Sequence, residues 1–272
     1  MTVSLLLIAL GGLPALPGAA SFTAFSAELR GAMSGGSGFS PEGSAFWALV
    51  SGIPAGVFYY LGIITLQRSI RECGVSLAGS FSKMGILVPM ALSMLLWHEM
   101  PATLQWAGIL LALTAILAGS VGSGSGEGAL PGLRPVLLLL FLAVGMAEFS
   151  NKVYQYYGAE GLKNLFLLAV FTTALTLSAV RSARRGIRLQ RVHLLTGLAV
   201  GVPNFFASFF LIAALSRMTA VVVFPVYGAM TICLIALFGR LLFGERLKPR
   251  ERISVALAAA AMVLINLKGT GS

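Results

Sequence analysis

Acidic and metal-ligating residues are scarce in this chain of 272 residues. Aspartate is absent, and histidine occurs only at His98 and His193. Metal sites and most hydrolytic mechanisms need several such side chains close together, so the composition argues against an enzyme, a metal site and a cofactor. Two cysteines, Cys73 and Cys233, do not make a disulfide framework. Both are predicted to be free thiols.

Charge of either sign is also rare. Only 10% of the residues are charged, 57% are hydrophobic, and the mean hydropathy is +0.91. A soluble domain carries about 25% charged residues. The apolar runs have the length of about 20 residues that a membrane helix needs, whereas barrel strands would be half as long and would alternate. The sequence therefore predicts an all-α polytopic protein that crosses a cell membrane several times, most simply a bacterial inner membrane.

The net charge of +10 does not indicate a nucleic-acid partner. The basic residues stand in short loops between apolar runs, as they do in the cytoplasmic loops of membrane proteins. The predicted partners are the lipid bilayer and a small-molecule solute.

Nine apolar runs read as membrane spans. The first contains the small residues Pro17-Gly18-Ala19-Ala20-Ser21, which resemble a signal-peptide cleavage site, but its amino end has no lysine or arginine, which favours a retained span. The predicted spans are Val3–Phe25, Ala45–Leu66, Val75–Trp97, Thr103–Ala118, Pro135–Tyr156, Leu162–Val180, Leu194–Leu215, Ala220–Phe243 and Ile253–Leu267.

Glycine and serine mark the connections. The stretch Ser26–Ser44 has no periodicity and is predicted to be a loop. Residues 119–134 have the composition of a flexible linker and separate a first half, 1–118, with four spans from a second half, 135–272, with five. After the third span, Pro101 is predicted to occupy the first turn of the next helix.

The two halves carry the same anchors in the same order. Gly52-Ile53-Pro54 corresponds to Gly201-Val202-Pro203, and an arginine follows each proline by fourteen residues. His98-Glu99 then corresponds to Gly244-Glu245, and an apolar run closes each copy. This pattern indicates an internal repeat.

Corresponding loops differ in charge. The turn at His98-Glu99 has no lysine or arginine, whereas its counterpart, residues 246–252, has four. Ser26–Ser44 has one arginine and its counterpart, residues 181–191, has five. Opposite charge in matching loops indicates two halves inserted upside down to each other, a design typical of transporters with alternating access.

These anchors, together with Phe224-Pro225 and Phe243-Gly244-Glu245-Arg246-Leu247, resemble the drug/metabolite transporter superfamily, EamA-like branch. The resemblance implies uptake or efflux of a small metabolite or drug-like solute through a central cavity between inverted halves. It also implies five helices in each half, so a tenth helix is expected to be missing before Met1. His98 departs from the glycine of the family's glycine–glutamate turn.

Ionisable residues inside spans are the first candidates for solute binding. Lys83 lies in the third span, where it either faces a cavity or reaches the interface with its long side chain. Glu148 and Lys152 lie four residues apart on one face of the fifth span, in the order that favours an ion pair, and Asn151 adjoins them. Glu148 is also a candidate for a coupling proton, whereas the alternative reading is a structural pair at the helix end.

Prolines at matching positions are the second group of candidates. Pro54, Pro203 and Pro225 are predicted helix breaks, because a proline disrupts the helical hydrogen bonds and interrupted helices line transporter sites. The polar or aromatic residues near them are predicted to contact solute, with ordinary packing as the alternative: Tyr59, Asn204, Ser208 and Tyr227. Glu99 and Glu245 are expected to cap the helices that follow them.

The sequence thus favours a secondary transporter, coupled to a proton or another ion or to none, and monomeric or homodimeric. A truncated, inactive relative or a membrane-embedded, lipid-handling protein is the alternative.

Overall fold

The computed structural model of the chain describes residues 18–33, 39–120, 135–186, 191–243 and 249–266. Within these ranges the secondary structure is helical, and no strand occurs. The helices are α1 Ala19–Met33, α2 Pro41–Cys73, α3 Val75–Met84, α4 Leu87–Trp97, α5 Thr103–Ser120, α6 Pro135–Tyr157, α7 Lys163–Arg184, α8 Arg191–Leu215, α9 Ala220–Phe243 and α10 Pro249–Asn266, with a 3₁₀ turn at Glu160–Leu162.

Four of the described helical segments are long and apolar enough to cross a membrane, and further apolar helices are shorter. The long segments are Pro41–Cys73, Pro135–Tyr157, Glu160–Arg184 and Leu195–Leu215. Each predicted span from the second to the ninth overlaps a described helix, except that the third is divided between α3 and α4, and Leu267 at the end of the ninth lies outside the described residues. The chain is therefore an all-α protein of membrane type. Residues 1–17, the linker residues 121–134 and Glu245 lie outside the described residues.

The described helices fall into two compact units. Unit 1 comprises Met1–Tyr60 and Ser150–Arg217, and unit 2 comprises Leu61–Phe149 and Met218–Ser272. The division falls inside α2 and inside α6, so both helices contribute to each unit. Each unit combines segments that come before and after the linker residues 119–134.

The loop predicted over residues 26–44 is wrong at both ends. Helices α1 and α2 occupy much of this stretch, and only residues 34–40 lie between them. The backbone N–H of Ser40 donates to Glu28 Oε2 at 2.9 Å, which places a carboxylate of α1 at the amino end of α2. The many glycines and serines of this stretch obscure any apolar periodicity in the sequence. The helices are stabilised by this capping contact and by packing of Phe25 against Phe39.

In unit 1, α2 and α7 run in the same direction with their backbones in contact. A Cβ atom placed on Gly52 would lie 2.7 Å from Ala169 Cβ, and one placed on Gly56 would lie 2.5 Å from the Val170 carbonyl oxygen. Glycines four residues apart let membrane helices approach closely. Gly52, which the sequence marked as a repeat anchor, therefore has a packing role.

In unit 2, α5 and α10 are antiparallel. Ser254 Oγ donates to the Ala115 carbonyl at 2.6 Å, and near the other end a Cβ on Gly108 would lie 3.0 Å from Ile265 N. Small buried residues line the contact, as expected where helices pack tightly in a membrane. They include Ala112, Ala115, Ala258 and Ala261.

Two buried serines of unit 2 should respond oppositely to truncation. Ser254→Ala removes an interhelical hydrogen bond and is expected to lower the free energy of unfolding by about 1 kcal/mol. Ser93→Ala should be neutral or stabilising, because Ser93 Oγ is fully buried and has no hydrogen-bond partner among the described residues. SDS-induced unfolding of the purified protein in mixed micelles measures both, and equal destabilisation would contradict the assignment.

A side chain in the turn between α4 and α5 caps a helix that is distant in the sequence. Glu99 Oε2 accepts a hydrogen bond from the Ala220 N–H at 2.7 Å, so Glu99 caps α9. At the start of α5, Gln105 Oε1 accepts a hydrogen bond from Ala102 N at 2.9 Å, and the predicted cap of α5 by Glu99 stays a prediction. Pro101 precedes α5 by two residues and is not in its first turn. The carboxylate of Glu99 thus stabilises a helix that the tertiary fold brings to it.

Candidate functional site

The third predicted span is interrupted at Gly85 and Ile86, which separate α3 from α4. Here the hydrogen bonds change to a tighter pattern, with Gly85 N bonded to the Ser82 carbonyl at 3.2 Å and Val88 N bonded to the Gly85 carbonyl at 3.1 Å. Three-residue hydrogen bonds within a helix mark a kink. Both residues keep right-handed backbone angles, so the chain bends without reversing.

The kink rests directly on α6. A Cβ placed on Gly145 would lie 2.5 Å from Val88 Cβ and 2.8 Å from the Gly85 carbonyl oxygen, and one on Gly85 would lie 3.2 Å from Gly145 N. A side chain at Gly145 would therefore push the two backbones apart, whereas one at Gly85 would fit only if its neighbours moved by a few tenths of an ångström. This glycine crossing fixes where the kinked span meets α6.

Three predicted solute-binding residues lie within electrostatic range of one another near the crossing. Lys83 is in the last turn of α3, two residues before Gly85, and Glu148 is on α6, one turn beyond Gly145. The negative charge of Glu148 acts on the Lys83 ammonium and also on the hydroxyl of Tyr227 from α9. We call Lys83, Glu148 and Tyr227 the charged cluster of unit 2. All three side chains are half-buried.

The surroundings of the charged cluster are largely apolar. Ile86 and Met90 are buried at the start of α4, and the Val144 side chain packs against Gly85. An ion in such surroundings is stabilised by a partner of opposite charge and by dipoles. Lys83 lies within the electrostatic influence of Glu148 and at the carboxyl end of α3, where the helix dipole favours a cation.

The predicted helix breaks at Pro54, Pro203 and Pro225 do not take the form of interruptions. All three prolines lie inside continuous helices, namely α2, α8 and α9. A proline removes one backbone donor and bends a helix, but in a membrane protein neighbouring helices can re-satisfy the freed carbonyl. The interruption that the structure does contain, at Gly85, involves no proline.

Two other predicted residues meet in unit 1. The Asn204 side-chain amide donates a hydrogen bond to the Tyr59 hydroxyl, which connects α8 to α2. The Tyr59 ring packs edge-on against Phe171 of α7, with ring centroids 5.4 Å apart. Ser208, one turn beyond Asn204, is half-buried. The polar pair thus joins the two helices that carry the Gly-x-Pro motifs.

Asn151 and Lys152 are buried on α6 within unit 1. Lys152 is only 3% exposed, and its Nζ donates to Gln155 Oε1 at 3.1 Å. The same ammonium lies 5.9 Å from the centre of the Tyr156 ring. The Lys152 side chain is thus held by groups of its own helix and is a second buried polar position on α6. The predicted ion pair between Glu148 and Lys152 stays a prediction.

Sequence reasoning missed the residues that shape the charged cluster. Gly85 and Gly145 stand inside apolar runs, where a single glycine is common and carries no distinct signal. The only hint was that Gly85 follows an intramembrane lysine by two residues. Among the described residues, no group of three histidine, cysteine or acidic side chains is placed to hold a metal ion.

No protein-family model matches the chain, and no curated protein matches it.

Proposed function

We propose that the protein is a secondary transporter that moves a small polar or amphipathic solute across a membrane by alternating access. The observation that carries the proposal is the charged cluster of unit 2, which joins Lys83, Glu148 and Tyr227 from three helices at a kinked span. Ionisable residues inside a membrane protein are expensive, and they mark solute or ion pathways more often than packing. A kinked span beside them provides a point at which the helix can bend.

The helix directions support nine spans that alternate in direction. In unit 1 the second predicted span runs parallel to the sixth. In unit 2 the second span runs antiparallel to the fifth, and the fourth span runs antiparallel to the ninth. If the chain crosses the bilayer at every span, all even-numbered spans run in one direction and all odd-numbered spans in the other, as in these pairs.

The pairing also supports inverted repeats. The fourth and ninth spans are counterparts in the sequence repeat, and they pack against each other in opposite directions as α5 and α10. The third and eighth spans are counterparts as well, and they supply Lys83 and Tyr227 to one cluster. Repeats of the same orientation would give parallel counterparts, so this arrangement favours inversion. With the sequence anchors, it supports placement in the EamA-like branch.

A membrane-embedded, lipid-handling protein is the second candidate. It would need titratable groups that act on a headgroup at one membrane depth, and the charged cluster supplies one acid and one base. Net flux of a water-soluble solute distinguishes the two, because only a transporter releases its solute on the opposite side.

The proposal predicts solute flux that depends on the charged cluster. The purified protein is reconstituted in proteoliposomes and tested for counterflow of a panel of labelled amines, carboxylates and neutral solutes. Lys83→Met and Glu148→Gln should each reduce the flux at least about tenfold, because loss of one partner of an embedded charge pair costs about 2 kcal/mol or more.

Glu160→Gln is the matched control, since Glu160 is exposed on the 3₁₀ turn and its loss should leave flux unchanged. Absence of protein-dependent flux for the whole panel would defeat the proposal. Unchanged flux in both Lys83→Met and Glu148→Gln would show that the charged cluster takes no part in transport.

A further inference from the structure

Four arginines lie near one another in unit 1, where α7 ends and α8 begins. Arg181 and Arg184 are in the last turn of α7, and Arg185 follows it directly. Arg191 is the first residue of α8, and the connection from Gly186 is so short that the two Cα atoms are at most about 18 Å apart. All four arginine side chains are exposed. We call these four arginines the arginine surface.

Helices α7 and α8 are antiparallel, which brings these two ends to the same side of unit 1. Near the start of α7, the Lys163 ammonium lies 4.2 Å from the centre of the Phe209 ring of α8. Further along α7, Phe171 packs against Phe205, which comes earlier in α8, with ring centroids 6.0 Å apart. The end of α7 and the start of α8 are about equally far from this second contact, so they lie at the same level.

The charges of the arginine surface have no partner within the described part of the chain. None of the four side chains forms an ion pair or a hydrogen bond there, in contrast to Arg68, which is paired with Glu72 at 2.6 Å. Helices α7 and α8 contain no acidic residue, and Glu160, which precedes α7, is about 30 Å from Arg181 along the helix axis. An external anion can therefore approach this surface without displacing a carboxylate of the described residues.

The end of α7 does not use these side chains as caps. Gly186 follows the helix with a left-handed φ of 64°, and its N–H is bonded to the Ala183 carbonyl at 3.0 Å. The Arg185 N–H is bonded to the carbonyls of Arg181 and Ser182, both at 3.2 Å. Backbone donors thus satisfy three of the last carbonyls of α7, and the guanidinium groups stay available to other acceptors.

Exposed apolar side chains adjoin the arginine surface on both helices. Leu175 and Val180 of α7 are 43% and 45% exposed, and Leu195 and Val200 of α8 are 65% and 70% exposed. Both helices contain segments long and apolar enough to cross a membrane. Such side chains are suited to lipid tails, so the arginines, which lie within about one turn of Val180 and Leu195, are at the depth of the headgroups.

We propose that the arginine surface binds the headgroup of an anionic phospholipid, whose acyl chains lie along the exposed apolar faces of α7 and α8. Arg181, Arg184 and Arg185 are spaced by three and four residues and therefore share one side of the helix end. Guanidinium groups donate paired hydrogen bonds to phosphate oxygens. The surface belongs to unit 1, whereas the charged cluster belongs to unit 2, so the proposal goes beyond the proposed transport.

Native mass spectrometry of the full chain, purified in detergent micelles, tests the proposal with two lipids that have the same acyl chains. Dioleoyl phosphatidylglycerol is anionic, and dioleoyl phosphatidylcholine has no net charge. We expect the affinity for phosphatidylglycerol to be at least about tenfold higher, because each basic residue at an anionic membrane surface contributes about fivefold. Equal affinities for the two lipids would overturn the proposal.

Neutral variants assign the preference to the arginine surface. The triple variant Arg181→Gln, Arg184→Gln, Arg185→Gln should lower the affinity for phosphatidylglycerol at least about tenfold and leave that for phosphatidylcholine unchanged. Lysine at the same three positions keeps the charge and should keep the preference. If the triple glutamine variant fails to fold, Arg184→Gln alone, with an expected loss of about fivefold, replaces it. A preference that survives neutralisation would refute the assignment.

A matched control removes three exposed arginines elsewhere, in the triple variant Arg68→Gln, Arg71→Gln, Arg217→Gln. Each of these has an acidic residue near it, because Glu72 pairs with the first and adjoins the second, and the Glu160 carboxylate contacts the residue before the third. The control should therefore keep the lipid preference. Equal losses in the control and in the neutralised arginine surface would indicate general attraction to a basic protein, and the proposal would fail.

Soluble phosphates distinguish a lipid from a free anion. Inorganic phosphate and glycerol 3-phosphate, each in large excess, should not displace phosphatidylglycerol, because they lack the acyl chains that contact α7 and α8. Displacement by either would assign the surface to a soluble phosphate and overturn the proposal. None of these results depends on whether the protein transports a solute.

Discussion

Gly145→Ala is expected to lower the free energy of unfolding by about 2–3 kcal/mol, although it adds a single methyl group. The added Cβ would lie 2.5 Å from Val88 Cβ and 2.8 Å from the Gly85 carbonyl oxygen, closer than Cβ atoms approach other atoms. The nearest atoms are backbone or the stiff base of a β-branched side chain, so relief requires a backbone shift.

Gly79→Ala is the matched control for this substitution. Gly79 is on α3, and a Cβ there meets no atom within 4 Å. Alanine should be neutral at this position or stabilise the helix by up to about 1 kcal/mol. SDS-induced unfolding compares the two variants. Equal effects of both substitutions would mean that the glycine crossing is not a tight backbone contact.

The charge pair of the cluster should be strongly coupled in a double-mutant cycle. Lys83→Met and Glu148→Gln should each destabilise the protein, because each leaves the other charge uncompensated in apolar surroundings. The double variant should recover part of the loss, giving a coupling free energy of about 1–3 kcal/mol. The measurement is the unfolding free energy of all four proteins under one set of conditions.

Arg68 and Glu72 provide the comparison pair. Their side chains are 70% and 37% exposed and form an ion pair four residues apart on α2, with a distance of 2.6 Å. An exposed pair of this kind contributes only about 0.3–0.5 kcal/mol. A coupling between Lys83 and Glu148 as small as this would show that water screens the cluster, which contradicts its placement in the membrane.

Hydropathy places the helices of this protein well. The predicted spans Thr103–Ala118 and Ala220–Phe243 match the helices Thr103–Ser120 and Ala220–Phe243 within two residues. Burial of backbone in lipid demands helices, so a long apolar run has few alternatives. The same reasoning fails over residues 26–33, where a polar helix is stabilised by contacts at its ends and apolar periodicity gives no signal.

The residues of the candidate site could be predicted from the sequence one at a time, but their proximity in the fold could not. An intramembrane lysine or glutamate is conspicuous in a chain with so little charge, and Lys83, Glu148 and Tyr227 were therefore identified singly. Their meeting depends on the contact of Gly85 with Gly145, which are 60 positions apart in the sequence. Glu99 shows the same limit, since its acidic side chain predicts a helix cap but its partner Ala220 is set by the tertiary fold.

The antiparallel contact of α5 with α10 can form only late in synthesis of the chain. Unit 1 is fully synthesised once Arg217 has been added, whereas unit 2 must wait for Met218–Ser272. At about 5–20 residues per second this interval lasts roughly 3 to 11 s. During that time the small-residue face of α5 around Gly108 and Ala115 has no α10 to cover it. A nascent chain that stalls here would present this face to a second nascent chain, and a swapped pair of molecules is the expected misassembly.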